Sequence, residues 1–382
     1  MSRLRLLPPL LAIMFSASTV MSAPMEPFRQ VDLRIEQGIR EGLIAAAFLL
    51  IGSRGETLHA RAYGTSPTGE TIDADTLFDL ASLTKVIATT PAVMKCAEEG
   101  KLSLVDPLSR WFPELALTEA GDLSVWHLMT HTSGLDDSPL TGSPPLVTLL
   151  QRVGRTPVGD RKGERFWYAD VNFILLAELV SRATGESLDR YLERTIYTPL
   201  SMGRTRFSGR LPLHLPVAPA FGDRATIFRG VVQDENARRL GGVAGHAGLF
   251  STAADLARFC RMILGKGELA GVRVFESRTV EQMTSPYFSR GGGVRRGLGW
   301  DMASPFSSPR GVGLSPRSFG HTGYSGGSVW IDPDNDLFII FLTVRTDYRN
   351  RSAFSRLRSD VSTRAAEDYI ILKEILRETE ER

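Results

Sequence analysis

Ser82-Leu-Thr-Lys85 is the only Ser-x-x-Lys in this chain of 382 residues, and its setting decides how the rest is read. It opens a helix-like run, residues 81–100, directly after the strand-like Thr76-Leu-Phe-Asp-Leu80. At that spacing Ser82 and Lys85 share one helical face, a single turn apart. A serine hydroxyl is a weak nucleophile at neutral pH and needs a base beside it. A lysine one turn away can serve when burial or nearby positive charge lowers its pKa. A helix N-terminus also presents backbone N–H groups to developing negative charge. The bland alternative is an N-cap serine followed by a surface lysine. It is weakened by usage, since the chain has only six lysines against a large excess of arginine.

Two further segments suit a serine nucleophile. Phe166-Trp-Tyr-Ala-Asp-Val-Asn172 lies directly before a helical run. A tyrosine in such a turn can project its hydroxyl into a cleft, and as phenolate beside a lysine Tyr168 can act as the base. The ordinary alternative is a core tyrosine bonded to a backbone carbonyl. Phe319-Gly-His-Thr-Gly-Tyr-Ser-Gly-Gly327 leads into Val329-Trp-Ile-Asp332. Its glycines let an edge strand approach a substrate closely and offer an N–H to an oxyanion. In isolation the same stretch reads as a Gly-rich hairpin.

In order and spacing, Ser82-x-x-Lys85, Tyr168-x-Asp170 and His321-Thr-Gly323 resemble the motifs of the serine β-lactamase and penicillin-binding-protein superfamily. The likeness is to the branch of class C β-lactamases, their esterase relatives and low-molecular-mass penicillin-binding proteins. His127-Leu-Met-Thr-His-Thr-Ser-Gly-Leu135, Tyr197-Thr-Pro-Leu200 with Met202-Gly203, and the stretch from Gly241 to Thr252 are similar to further segments of that branch. The resemblance covers roughly residues 30–345. It implies an α/β (α+β) fold of the β-lactamase/transpeptidase type, an antiparallel sheet flanked by helices with an inserted, mainly helical lobe. It also implies a Ser82 acyl-enzyme, with Lys85 and Tyr168 sharing the acid and base roles. The backbone N–H groups of Ser82 and Tyr324 would form the oxyanion hole. His321 would act at the far wall, with Thr322, Gly323, Asp170 and His246 along the substrate cleft. No metal or organic cofactor is implied. The substrates that fit are a peptidoglycan peptide, a muramyl-peptide amide or a small ester, and a β-lactam is less favoured.

Two positions depart from the usual pattern. His321 stands where β-lactamases usually carry lysine, and a histidine is largely neutral above its ordinary pKa of about 6.5. A substrate carboxylate would be held less firmly there. Asp170 stands where asparagine is commonest, and a carboxylate beside Lys85 favours the ammonium form. That moves weight to Tyr168 as proton acceptor, or to a lysine acting as a positive charge. Both departures point to the esterase and peptidase side of the branch.

The termini and composition bound the setting. Arg3 and Arg5, an apolar run over residues 6–21 and small residues at Ser22 and Ala23 read as a signal peptide over residues 1–22. An uncleaved membrane anchor is the alternative. Cleavage would take the formal net charge from +2 to about 0. No basic block with interleaved aromatics appears, so no nucleic-acid partner is expected. Cys96 and Cys260 each sit in an apolar helical context and read as buried free thiols. The expected hydrolase domain spans residues 27–380, with a sheet lobe over about 30–80 and 290–380 and a helical lobe over about 81–289.

Periodicity predicts helices over residues 31–45, 125–130, 171–184, 188–196, 253–264 and 353–378. It predicts strands over 46–52, 58–63, 298–301, 328–332 and 337–344, with connectors at 138–145 and 210–219. Several patterns carry competing readings. Gly323-Tyr-Ser-Gly-Gly327 fits the Gly-x-Ser-x-Gly nucleophile elbow, which would make Ser325 the nucleophile of an α/β-hydrolase. That elbow needs a helix after it, and a strand follows here. His127 and His131 have zinc-ligand spacing but lack the intervening glutamate and a third ligand. His246 has a structural reading beside the cleft one, residues 234–238 read as a solvated loop with a cleft rim as the alternative, and residues 345–364 read as a solvated helical face. A catalytically silent peptidoglycan-binding protein is the competing non-enzyme reading.

Overall fold

Ala46–Gly52 is an unbroken apolar strand with every residue buried. In this computed structural model, which describes residues 27–158, 162–211, 215–222, 226–290 and 293–380, its two faces serve two different cores. Ala46, Phe48 and Leu50 join the larger core, and Ala47, Leu49 and Ile51 join the second, as the two-residue period of a strand requires. The strand pairs antiparallel with Leu337–Val344 on one side and Thr57–Gly64 on the other. An early hairpin and the late strands therefore build one sheet, as the scattered strand signals implied. The proposed signal segment lies outside the described residues.

Among the described residues the sheet has eight antiparallel strands. Their order is Phe288–Arg290, Val294–Arg296, Asp301–Ala303, Phe319–Thr322, Ser328–Asp332, Leu337–Val344, Ala46–Gly52 and Thr57–Gly64. Helices Arg29–Arg40 and Arg351–Glu380 cover one face, where Val31 and Ile35 meet Leu357, Val361 and Ala365. Helix Ala253–Leu264, capped by the Thr252 side chain accepting from the Asp255 N–H, packs on the other. Beyond it, helices Thr90–Glu98 and Asp170–Thr184 extend the same core. Each fully buried Leu, Ile or Phe there contributes roughly 1.5–3 kcal/mol. The fold expected from the motifs is the fold observed.

Several elements differ from the periodicity reading. Residues 188–196 split into helix Leu188–Leu192 and the π turn Glu193–Tyr197. The strand expected at 298–301 forms at Asp301–Ala303. The supposed connector ending at Pro145 gives way to helix Pro145–Arg155, because proline at the first helical position needs no N–H partner. Both cysteines are buried and free. No helix among the described residues is long and apolar enough to cross a membrane.

Candidate active site

The nucleophile candidate sits on a strained, widened turn. Strand Phe78–Asp79 pairs with Leu249–Ser251 in a small separate sheet, and the chain then enters a left-handed conformation at Ala81, φ 45°. Asp79 holds that turn. Its Oδ1 accepts the Ala81 N–H at 2.9 Å and its Oδ2 accepts the Gln233 N–H at 2.8 Å. Burial pushes its carboxyl up to about 6. Strain kept by surrounding bonds is characteristic of functional turns.

The continuous helix expected over 81–100 is not formed. A 3-10 turn Ala81–Leu83 runs into the π turn Lys85–Thr89 and only then into helix Thr90–Glu98. Pro91 has no N–H to give to the Ile87 carbonyl, and the Tyr197 hydroxyl donates to that oxygen instead, at 3.1 Å. The Thr89 hydroxyl leaves the helix to donate to the Gly245 carbonyl at 2.6 Å. Gly245 must be glycine, since a Cβ there would lie 1.9 Å from the Phe173 carbonyl oxygen. Its close approach brings His246 beneath Lys85.

Lys85 is fully buried and is the centre of the site. Its Nζ donates to Ser82 Oγ at 3.0 Å and to the His246 carbonyl at 3.2 Å, and pairs with Asp170 Oδ1 at 2.6 Å. It is also hydrogen-bonded to Tyr168. Burial alone would lower its pKa, but the Asp170 carboxylate and the Tyr168 hydroxyl outweigh it and hold the ammonium above its ordinary range. Tyr168 also bonds Ser82. Burial raises its phenol, and Lys85 only partly offsets that. The resting site therefore holds an ammonium and a phenol.

Tyr168 is set by His131, whose ring stacks on it at 4.4 Å while its Nδ1 accepts the Ala169 N–H at 3.2 Å. His127 Nδ1 accepts the Ser124 N–H in a capping box. Both histidines of the zinc-like spacing are thus occupied in capping and packing.

The third motif closes the opposite wall. Phe319–Thr322 pairs along its length with Ser328–Asp332, but with the neighbouring strand only at Asp301 and Gly320. It is an inner strand whose far end alone is free, not a full edge. Gly323 then turns so close to the segment before Ser82 that a Cβ would lie 2.5 Å from the Leu80 carbonyl oxygen. The Ser325 hydroxyl donates to the Asp79 carbonyl at 2.6 Å, which fastens this turn to the segment before Ser82. Ser325 is followed by strand Ser328–Asp332, so the nucleophile-elbow context is absent. His321 lies 2.8 Å through Nδ1 from the Thr322 carbonyl, an acceptor only, so Nδ1 carries the proton. Burial, with the charges of Arg296 and Lys85, holds its pKa well below the usual value and keeps the ring neutral.

Ser82, Tyr168, His321, Thr322, Gly323 and Tyr324 line one cavity of about 280 Å³ with Phe306, Arg345, Arg351 and Arg358. The arginines are the residues missed by the sequence reading, which put 345–364 on a solvated face. Arg345 is 5% exposed, and among the described residues its Nη2 and the Nε of Arg358 are buried without a hydrogen-bond partner. The signal was present in the helical period: Phe354, Leu357 and Val361 face the sheet, and Arg358 follows on the rim of that face. Burial, then repulsion from Arg345, pulls the Arg358 guanidinium down to about 9.

Two expected cleft residues take other positions. Asp170 pairs with Lys85 behind the serine. The His246 ring is 1% exposed and its Nε2 lies 2.8 Å from Asp234 Oδ1, so its carbonyl, not its side chain, reaches Lys85. Residues 234–238, expected as a solvated loop, supply this Asp234 as the cap of helix Glu235–Arg239.

The comparisons agree with this architecture. The protein-family model Beta-lactamase matches residues 31–362. A relative from Escherichia coli (strain K12) named "Putative D-alanyl-D-alanine carboxypeptidase" is 30% identical over 363 residues, covering 84% of this chain and 82% of the relative. A protein of the same name from Salmonella agona (strain SL483) is 32% identical over 303 residues, covering 70% of this chain and 69% of its own. Among solved structures, a "Beta-Lactamase/D-Alanine Carboxypeptidase" from Pseudomonas syringae superposes with a TM-score of 0.71 at 21% identity, covering 88% of this chain and 98% of that one. A class C β-lactamase gives 0.72 at 20% identity, covering 89% and 95%. With the family model spanning nearly the whole described chain and these relatives aligned along it, the protein belongs to the Beta-lactamase family of serine hydrolases.

Proposed function

We propose that the chain is an exported carboxypeptidase-type hydrolase that acylates Ser82 with a peptide ending in a free carboxylate, such as a peptidoglycan stem ending in D-alanine. The observation that carries this reading is the pair of inward guanidinium groups, Arg345 and Arg358, lining the cavity beside Ser82 with buried unpartnered nitrogens. A buried guanidinium nitrogen without a partner is costly, and a cleft lined by two groups that each keep one is suited to an anion. The neutral His321 leaves that task to them, which offsets the weak carboxylate hold expected from losing the usual lysine. Arg358 Nη1 also donates to the Gly323 carbonyl at 3.4 Å, so the anion site and the oxyanion turn share a residue. The names of the relatives support the same substrate class.

In this reading the terminal carboxylate docks on the arginines and the penultimate carbonyl meets Ser82. Oγ attacks as its proton leaves toward Lys85 and Tyr168, and the oxyanion rests on the Ser82 and Tyr324 N–H groups. Each such donor is worth on the order of 100-fold in turnover. Collapse releases the terminal amino acid, and water clears the acyl-serine. Release of D-alanine from an N-acyl-D-Ala-D-Ala peptide should exceed cleavage of its C-terminal amide by roughly 30-fold or more, the worth of a charge-assisted pair. Equal rates on acid and amide would overturn the carboxylate reading.

A further inference from the structure

In the resting site both groups beside Ser82 hold the proton they would need to accept, which leaves the destination of the serine proton open. Asp170 occupies a position where the resemblance implies asparagine. An amide cannot take a proton there, and a carboxylate can. Its Oδ1 is 2.6 Å from Lys85 Nζ, which is itself 3.0 Å from Ser82 Oγ, so the three groups form a continuous line. A carboxylate oxygen of Asp170, one of Asp234 and a ring nitrogen of His246 lie within 4.8 Å of one another, outside the cavity lining.

We propose that Asp170 is the resident proton acceptor for Lys85, so that Ser82 is deprotonated through a Ser82–Lys85–Asp170 relay held in place by the Asp234–His246 pair. The proposal rests on the reading of Ser82 as nucleophile. An N–H bond of the ammonium breaks as an O–H bond forms on Asp170, leaving a neutral amine. Its lone pair takes the Ser82 proton as Oγ bonds to the carbonyl carbon. On collapse the regenerated ammonium gives that proton to the leaving nitrogen, and Asp170 returns its own to the amine. No co-reactant is consumed. Asp234 fixes the geometry: it holds His246, whose carbonyl accepts from Lys85 at 3.2 Å and keeps Nζ between the serine and Asp170.

The charged and titratable neighbours are defined. Asp170 faces Lys85 from the π turn, Tyr168 from its own approach, Asp137 from the loop after Val125–Met129, and Asp234 with His246 from the opposite side. Lys85 further faces His131 and His321, both kept neutral by burial.

The test is the pH profile of kcat/KM for p-nitrophenyl butyrate in wild type, Asp170→Asn and Asp170→Glu, each corrected for the turnover left in Ser82→Ala. Asp170→Asn should lose about 100-fold at neutral pH. Its acid limb should move up by at least about one pH unit, because the lysine must then lose its proton to solvent. Asp170→Glu should keep a limb like that of wild type with part of the rate restored. A merely structural role would lower the rate without moving the limb, and loss of the Asp170 charge beside a lysine that acts as base without a relay would move it down; either result overturns the relay. An unmoved limb in Asp170→Asn overturns the relay and leaves Ser82 as the nucleophile. No Ser82-dependent turnover in wild type overturns both.

Discussion

Ser82→Ala should reduce hydrolysis of p-nitrophenyl butyrate by about ten-thousand-fold, the scale at which nucleophile removal acts in serine hydrolases. The site explains why no neighbour substitutes. Lys85 is buried with all its partners assigned, and Tyr168 lines the cavity beside the serine with its phenol pushed up by burial. Ser325→Ala is the control, since Ser325 is the nucleophile of the competing α/β-hydrolase reading. Its hydroxyl donates to the buried Asp79 carbonyl, so losing it should cost roughly 1–3 kcal/mol of stability while leaving a sizeable fraction of activity. Steady-state rates and thermal melts of the two variants check both halves. Activity kept in Ser82→Ala and lost in Ser325→Ala would reverse the assignment.

The second large effect concerns the substrate. Replacing Arg345 and Arg358 together by alanine should lower kcat/KM for a D-Ala-terminated peptide by about 100- to 1,000-fold. The same protein should hydrolyse a neutral ester within about tenfold of wild type, because no ester group needs the guanidinium pair. The ester control matters because Arg358 also ties the Gly323 and Gly327 carbonyls, at 3.4 Å each. If that support were the main role of Arg358, ester and peptide rates would fall together. A parallel fall would therefore count against the anion site.

Some of this was readable from the chain and some was not. Ala46–Gly52, Ser328–Asp332, Leu337–Val344 and Ala253–Leu264 have the bounds their periodicity predicted, because each buries a regular apolar face. The motifs containing Ser82, Lys85, Tyr168 and His321 meet at one cavity or directly behind it. The split helix after Ser82 was not readable, because it depends on Tyr197 serving the carbonyl that Pro91 cannot. Arg358 was misread because an arginine-rich stretch looks solvated unless the inward stripe of its helix is followed through, and Arg345 because it lies before that helix, directly after strand Leu337–Val344. His246 and Asp234 are twelve residues apart, and only the turn at Gly245 against the Phe173 carbonyl reveals that they serve Lys85.

The most direct test of the acyl-serine account is the mass of the protein quenched in acid during turnover of p-nitrophenyl butyrate, followed by peptide mapping. The account predicts one added butyryl group, located on the peptide that carries Ser82 and absent from the Ser82→Ala variant. An adduct on another residue, or steady turnover with no acyl group on Ser82 at any quench time, would contradict it.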